Sequence, residues 1–189
     1  MLWLIVGGSV ALLLLLVAAV VFYFIAFDRR TPAQRMEEED GNDIVRCWAR
    51  AAYAIVTGGH DYGRVKPTLA QSTLRAMWSV TDAAAVHATM HHLARVPSGN
   101  AAWDGVRLMV VSRLAVGAGW ISDEESWGLI ANTRVELQRR YPSWDALAAD
   151  YLSARARWAA GADDDDMEDV QFNIDEARKG YWGIIAFRD

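Results

Sequence analysis

Cysteine is almost absent: Cys47 stands alone, so no disulfide can form within the chain. A single cysteine on an apolar face reads as a small packed hydrophobe and fits a reducing compartment. Positive charge is scarce beside negative, with 19 Lys and Arg against 24 Asp and Glu and a net charge of −5. That balance argues against a nucleic-acid partner, because affinity for phosphates rests on Lys and Arg. Several signatures of chemistry are missing too. There is no Gly-x-x-x-x-Gly-Lys-Ser/Thr phosphate cradle and no Gly-x-Ser-x-Gly elbow. The acidic run "DDDDMED", Asp163 to Asp169, lacks the glycine and the closing glutamate of an EF-hand loop and reads as a solvated loop. No stretch alternates apolar and polar residues as a half-buried strand does, and no repeat is visible.

Apolar surface is what the chain has in quantity. Hydrophobic residues make up 53% of its 189 residues, and nine are tryptophan, enough to build the core of one ordinary domain. From Leu2 to Phe27 no residue is charged. About 20 apolar residues cross a bilayer core. Trp3 on one side and Phe22, Tyr23 and Phe27 on the other are placed as interfacial anchors. A cleaved signal peptide would carry a basic start and a small-residue cleavage site, but no Lys or Arg precedes the run and "FIAFDRR" is a poor cleavage site. Residues 1–27 therefore read as a single transmembrane helix. Arg29, Arg30 and Arg35 follow it with no Lys or Arg before it, which places the carboxyl-terminal part in the cytoplasm, on the inner membrane.

Beyond the span, residues 28–43 read as a polar juxtamembrane linker and residues 44–189 as a helical cytoplasmic domain. The expected class is all-α, an irregular multi-helix bundle behind one membrane helix. Ile44, Cys47, Trp48, Ala51, Ala52 and Ile55 recur at helical spacing. "TGGHDYGRVKP" breaks the pattern, and a short helix is expected over Leu69 to Met77. Thr81 is placed to cap "DAAAVHATMHHLARV". Another helix spans Ala101 to Val116. In "GAGWISDEESW", Ser122 and Glu125 have capping-box spacing, and Asp123 and Glu124 fall where a helix dipole favours acids. That helix runs to about Tyr141. Ser143 caps the next, Trp144 to about Ala160; Phe172 to Lys179 is a last short helix, and "YWGIIAF" reads as a strand-like closing tail.

Trp103, Asp104 and Arg107, then Gly119, Ile121, Ser122, Glu125 and Trp127, then Leu137, Gln138, Ser143 and Trp144, and finally Tyr151, Arg155 and Trp158 follow a recognisable order. Upstream, "LRAMWSVTDAAAVHATMHHL" adds a lead-in containing Trp78, with Ser79 where glycine is usual; Ala154 also replaces a usual glycine, and Trp182 has a counterpart near the end. In these features the chain resembles the bacterial domain-of-unknown-function family 1266, DUF1266, from about Thr73 onward. The resemblance implies a fold and no established activity. It leaves the tryptophans, with Tyr151, as structural aromatics: Trp78, Trp103, Trp127, Trp144, Trp158 and Trp182.

Charged and polar residues on apolar stripes are the candidate site. Arg107 and Arg155 need carboxylate or carbonyl partners if buried. Asp104 and Glu125 are the expected ones, with Gln138 nearby. Two readings stay open, a sealed ion-pair network that fixes how helices meet and a pocket in which Arg107 and Arg155 hold an anion. His87 and His91, at i and i+4, are a weak zinc candidate without the glutamate of a His-Glu-x-x-His site. No cofactor is expected and no catalytic residue stands out. The expected role is a membrane-tethered interaction or regulatory module with a protein partner, and the alternative is an enzyme or ligand-binding domain. The topology has its own test: a reporter fused after Asp189 is expected to be active in the cytoplasm, and activity confined to the outside would overturn it.

Overall fold

The computed structural model describes residues 30–159 and 166–188. The expected span from Leu2 to Phe27 lies outside them, as do residues 160–165; the acidic run expected as a loop up to Asp169 is helical from Asp166 onward. Among the described residues no helix is long and apolar enough to cross a membrane, and the regular structure is helical throughout. The helices are α1 (Pro32–Glu39), α2 (Ile44–Thr57), α3 (Pro67–Trp78), α4 (Ala83–Ala94), α5 (Ala101–Gly117), α6 (Asp123–Arg140), α7 (Trp144–Ala159), α8 (Asp166–Lys179) and α9 (Tyr181–Ile184), with a 3-10 turn at Tyr62–Arg64. Residues from Pro32 onward form one compact unit.

Two helices are apolar nearly all round, as a helix enclosed by others must be. In α2 the side chains from Cys47 to Ile55 are buried, and in α5 nearly every residue from Ala101 to Ala115 is. α5 packs against α2, α3, α4, α6, α7 and the 3-10 turn; α2 packs against α5, α6, α8 and α9. Gly117 ends α5 where a Cβ would strike the backbone carbonyl of Tyr62, so its role is close approach rather than turn geometry.

Capping residues set the helix starts. Asp43 accepts from the Val45 and Arg46 amides, Asn100 from Trp103, Ser122 from Glu125 and Ser143 from Ala146, at 2.8–3.2 Å. The cap of α4 is Asp82, not Thr81: the Asp82 carboxylate accepts from the Ala85 amide at 2.9 Å, and a carboxylate is the stronger acceptor.

Two expected segments fold differently. Residues 32–39 are a helix rather than a linker, because Met36 and Arg35 are buried against the domain. The tail is a short helix followed by irregular chain, not a strand. It is held by side chains instead of a backbone ladder. Trp48 and Trp144 donate their indole N–H to the carbonyls of Phe187 (2.9 Å) and Ile185 (2.8 Å), and Gln138 donates to Phe187 at 2.6 Å. Phe187 packs edge-on to Trp144 at 4.8 Å, and Trp182 stacks on the same ring at 5.8 Å.

Ser79, in the position where the resemblance expects glycine, ends α3 in the left-handed region at φ 55°. A residue with a Cβ pays roughly 1 kcal/mol there. Ser79→Gly is expected to raise stability by about 0.5–1 kcal/mol, measured as a shift of the denaturation midpoint; an unchanged or lower midpoint would show the strain to be absent.

Candidate functional site

The expected site residues separate into three places. Arg107 and Arg155 come together, from α5 and α7, on a cleft of about 300 Å³. Its walls include Trp78 and Met77 from α3, Trp103 and Val110 from α5, Tyr151 and Trp158 from α7, and Asp169 and Val170 from α8. Arg107 packs its guanidinium over the rings of Trp78, 4.4 Å from the centroid, and Trp103, at 4.7 Å; Arg155 lies over Trp158 at 4.7 Å. Trp103 in turn is 5.1 Å from Tyr151 and 6.1 Å from Trp158. Trp158 is 64% exposed, so it forms the rim of this cleft rather than part of the core.

Asp104 supports the cleft from behind. It is 1% exposed; its Oδ2 accepts from the Ser98 amide (2.9 Å) and hydroxyl (2.6 Å), leaving Oδ1 facing Arg107 Nη1 at 3.9 Å. Arg107 keeps 27% of its side chain exposed. Burial lowers its guanidinium below the ordinary value, and the like charge of Arg155 adds to that while Asp104 opposes it. Burial pushes the Tyr151 hydroxyl up to about 12.

Glu125 and Gln138 are elsewhere. Gln138 pins the tail. Glu125 turns outward, its Oε1 3.4 Å from His87 Nδ1, with both side chains about half exposed. It neither meets an arginine nor is shown reaching back to its cap; Ser122 makes its half of the capping box alone. The His87–Glu125 contact also uses one of the two histidines of the zinc candidate. Among the described residues no three His, Cys, Asp or Glu side chains are grouped as metal ligands.

An ion-pair network that buries its guanidinium, one of the two readings open for Arg107 and Arg155, forms around two other arginines. Arg113 on α5 makes a bidentate pair with Asp61 (2.8 and 3.1 Å) and donates to Asp123 at 2.8 Å and Ser126 at 3.3 Å. Asp123 also accepts from the Trp127 indole at 3.0 Å, and Arg113 lies 4.2 Å from that ring centroid. Gly63 has no room for a side chain because Arg113 passes over it. On α2, Arg50 is 0% exposed and donates to Asp40, to Glu39 at 2.9 Å and to the Gly59 carbonyl at 2.6 Å. The signal for both was a lone arginine inside a dense apolar run, "CWARAAYAIV" and "LMVVSRLAVG".

Against known proteins, residues 94–185 match the model described as "Protein of unknown function (DUF1266)". A curated relative, "Uncharacterized protein YbeR" of Escherichia coli (strain K12), is 35% identical over 66 residues, a stretch covering 35% of this chain and 28% of that protein. No solved structure matches. The matched stretch begins at residue 94, later than Thr73, and contains Trp103, Arg107, Arg113, Asp123, Tyr151, Arg155 and Trp158. It leaves out Trp78 and Met77, so the cleft is closed on one side by helix α3 from outside the matched stretch.

Burial by itself would raise the Asp61 carboxyl, but the hydrogen bonds and charge of Arg113 hold it below the ordinary value. A carboxylate depressed in the folded state contributes stability above its unfolded pKa, about 4, and loses it as pH falls through the lower folded value. Asp61→Asn is therefore expected to cost about 3 kcal/mol at neutral pH and to flatten the loss of stability below about pH 4. Denaturation midpoints across pH 2–7 that fall in parallel for the variant and the parent would refute the pairing.

Proposed function

We propose that the helical unit is a non-catalytic binding module, tethered to the membrane by the charge-free segment from Leu2 to Phe27, and that the Arg107–Arg155 cleft takes a small anionic molecule. The observation that carries this reading is the convergence of two guanidiniums with Trp78, Trp103, Tyr151 and Trp158 on one open cavity of about 300 Å³. Ligand pockets of this kind combine apolar walls with a few placed polar groups. An ion pair serving architecture alone buries its guanidinium, as at Arg50 and Arg113, whereas the Arg107 side chain keeps 27% of its surface exposed.

Transfer chemistry has less support. The hydroxyls of the lining are those of Tyr62, Thr73 and Tyr151, and burial raises both tyrosines. A hydroxyl pushed up in this way is a poor nucleophile or base at neutral pH. A protein partner remains a second reading, favoured by Met77 (71% exposed) and Trp158 (64%) standing on the cleft rim.

Binding is testable by calorimetry on the full-length protein in lipid nanodiscs, with a panel of small organic acids. At least one acid is expected to bind, and Arg107→Ala is expected to weaken it about tenfold or more, since a charge-assisted hydrogen bond is worth roughly 1.5–3 kcal/mol. Binding that is indifferent to both Arg107→Ala and Arg155→Ala would place the ligand elsewhere and overturn the assignment.

A further inference from the structure

Exposed apolar surface is not spread evenly over the unit. Seven large apolar side chains stand exposed among the described residues, and four of them belong to the helix faces around one cleft. Met77 on α3 and Trp158 on α7 line it directly. Leu69, Thr73 and Met77 follow at four-residue steps and so share one face of α3, and Thr73 is also in the lining. On α8, Phe172 stands between Asp169 and Asn173, which both line the cleft. Leu69, Met77, Trp158 and Phe172 are each more than half exposed. Three helices thus turn bulky apolar groups to solvent around a single opening, the mark of an interaction surface.

Where the chain enters the unit says what covers that surface. Pro32, the first residue of α1, lines a small cavity together with Asn173. Asn173 lines the cleft as well, and its side-chain amide donates at 3.4 Å to the carbonyl of Val56, another cleft wall. The entry point therefore adjoins the cleft. Residues 28–31 are all that separate Phe27 from Pro32. Those five steps of chain reach about 18 Å at most. With the charge-free segment from Leu2 to Phe27 in a bilayer, Pro32 and the surface beside it stay close to the headgroups. Charge does not oppose the approach: Glu168 and Asp169 stand beside Phe172, Arg157 beside Trp158, and neither sign dominates. Contact would rest on apolar groups and on Trp158, a side chain suited to the boundary between lipid and water.

We infer that the rim formed by Leu69, Met77, Trp158 and Phe172 docks on the surface of the bilayer that holds the tether. The inference rests on the tether proposed above and is independent of the anion. The cleft behind the rim then opens toward the headgroup layer rather than toward bulk water.

The full-length chain in phosphatidylcholine nanodiscs carries the test. Met77→Cys and Phe172→Cys place a nitroxide at exposed rim positions, and Val135→Cys places one on an exposed part of α6 outside the cleft lining. The parent chain, whose Cys47 is buried, gives the background. Power saturation compares collisions with oxygen, which concentrates in lipid, and with a water-soluble nickel chelate. The oxygen-to-nickel ratio is expected to be several-fold higher at 77 and 172 than at 135. Equal ratios at the three positions, in a chain that still elutes with the discs, would overturn the docking and leave the tether standing. Dipolar broadening at 77 or 172 that disappears on dilution with unlabelled protein would overturn it in favour of a second copy. A chain that elutes apart from the discs would overturn the tether, and the docking with it.

Discussion

Two arginines buried in the two central helices dictate where much of the rest of the chain must go. Arg50 in α2 is 0% exposed and Arg113 in α5 is 3% exposed. A guanidinium taken out of water costs several kcal/mol unless carboxylates and carbonyls replace the lost hydration. Neither helix supplies a carboxylate for its own arginine, so the partners arrive from other segments. Asp40 and Glu39 come from the end of α1, Asp61 from the loop before the 3-10 turn, and Asp123 from the first turn of α6. Each of these is a connecting point that apolar packing alone would leave loosely defined. Replacing such pairs by apolar groups can be neutral for stability, so their contribution lies in the uniqueness of the arrangement as much as in its depth.

The same helix carries the contrasting arginine. Arg107 sits on α5 two turns before Arg113, yet it has no bidentate acid. Its nearest carboxylate is Asp104, whose other oxygen is already engaged by Ser98. What neutralises Arg107 instead is the faces of two indoles, a weaker and less complete substitute for water. So one helix presents a closed arginine toward α6 and an open one toward α7. The first explains why "GAGWISDEESW" holds its residues as it does: Asp123, half exposed, reaches Arg113 at 2.8 Å, and Trp127 is packed on that guanidinium. Asp123 in that motif is thus architectural, while the arginine that keeps a solvent-facing edge is that of the earlier Trp-Asp-x-x-Arg segment.

The helices themselves were largely legible, because local signals specify them. Apolar spacing and caps such as Ser122 and Ser143 act within a few residues, and the observed starts of α6 and α7 agree with them. Long-range pairing left no such local trace. Asp61 and Arg113 are 52 residues apart, and nothing in periodicity says which acid an arginine will meet. Glu125 was paired with an arginine on the strength of charge alone, whereas its position on an exposed face of α6 sends it to His87. The tail was read as extended because "YWGIIAF" is apolar, but its backbone partners are indole and amide donors rather than another strand, a choice that depends on where Trp48, Trp144 and Gln138 have been carried by the fold. The Arg107–Arg155 pairing on one cleft could be anticipated, since both lie beside tryptophans at helical spacing on helices that had to pack together.

The cleft draws on more of the chain than the stretch that matches the family model. Trp103, Arg107, Tyr151, Arg155 and Trp158 fall inside residues 94–185, while Trp78, Met77 and Thr73 come from α3 upstream. α3 reaches this position because its end is turned by Ser79 in a left-handed conformation, which stops the helix with Trp78 directly over Arg107. The wall that stacks on the open arginine is therefore positioned by one backbone conformation outside the matched region.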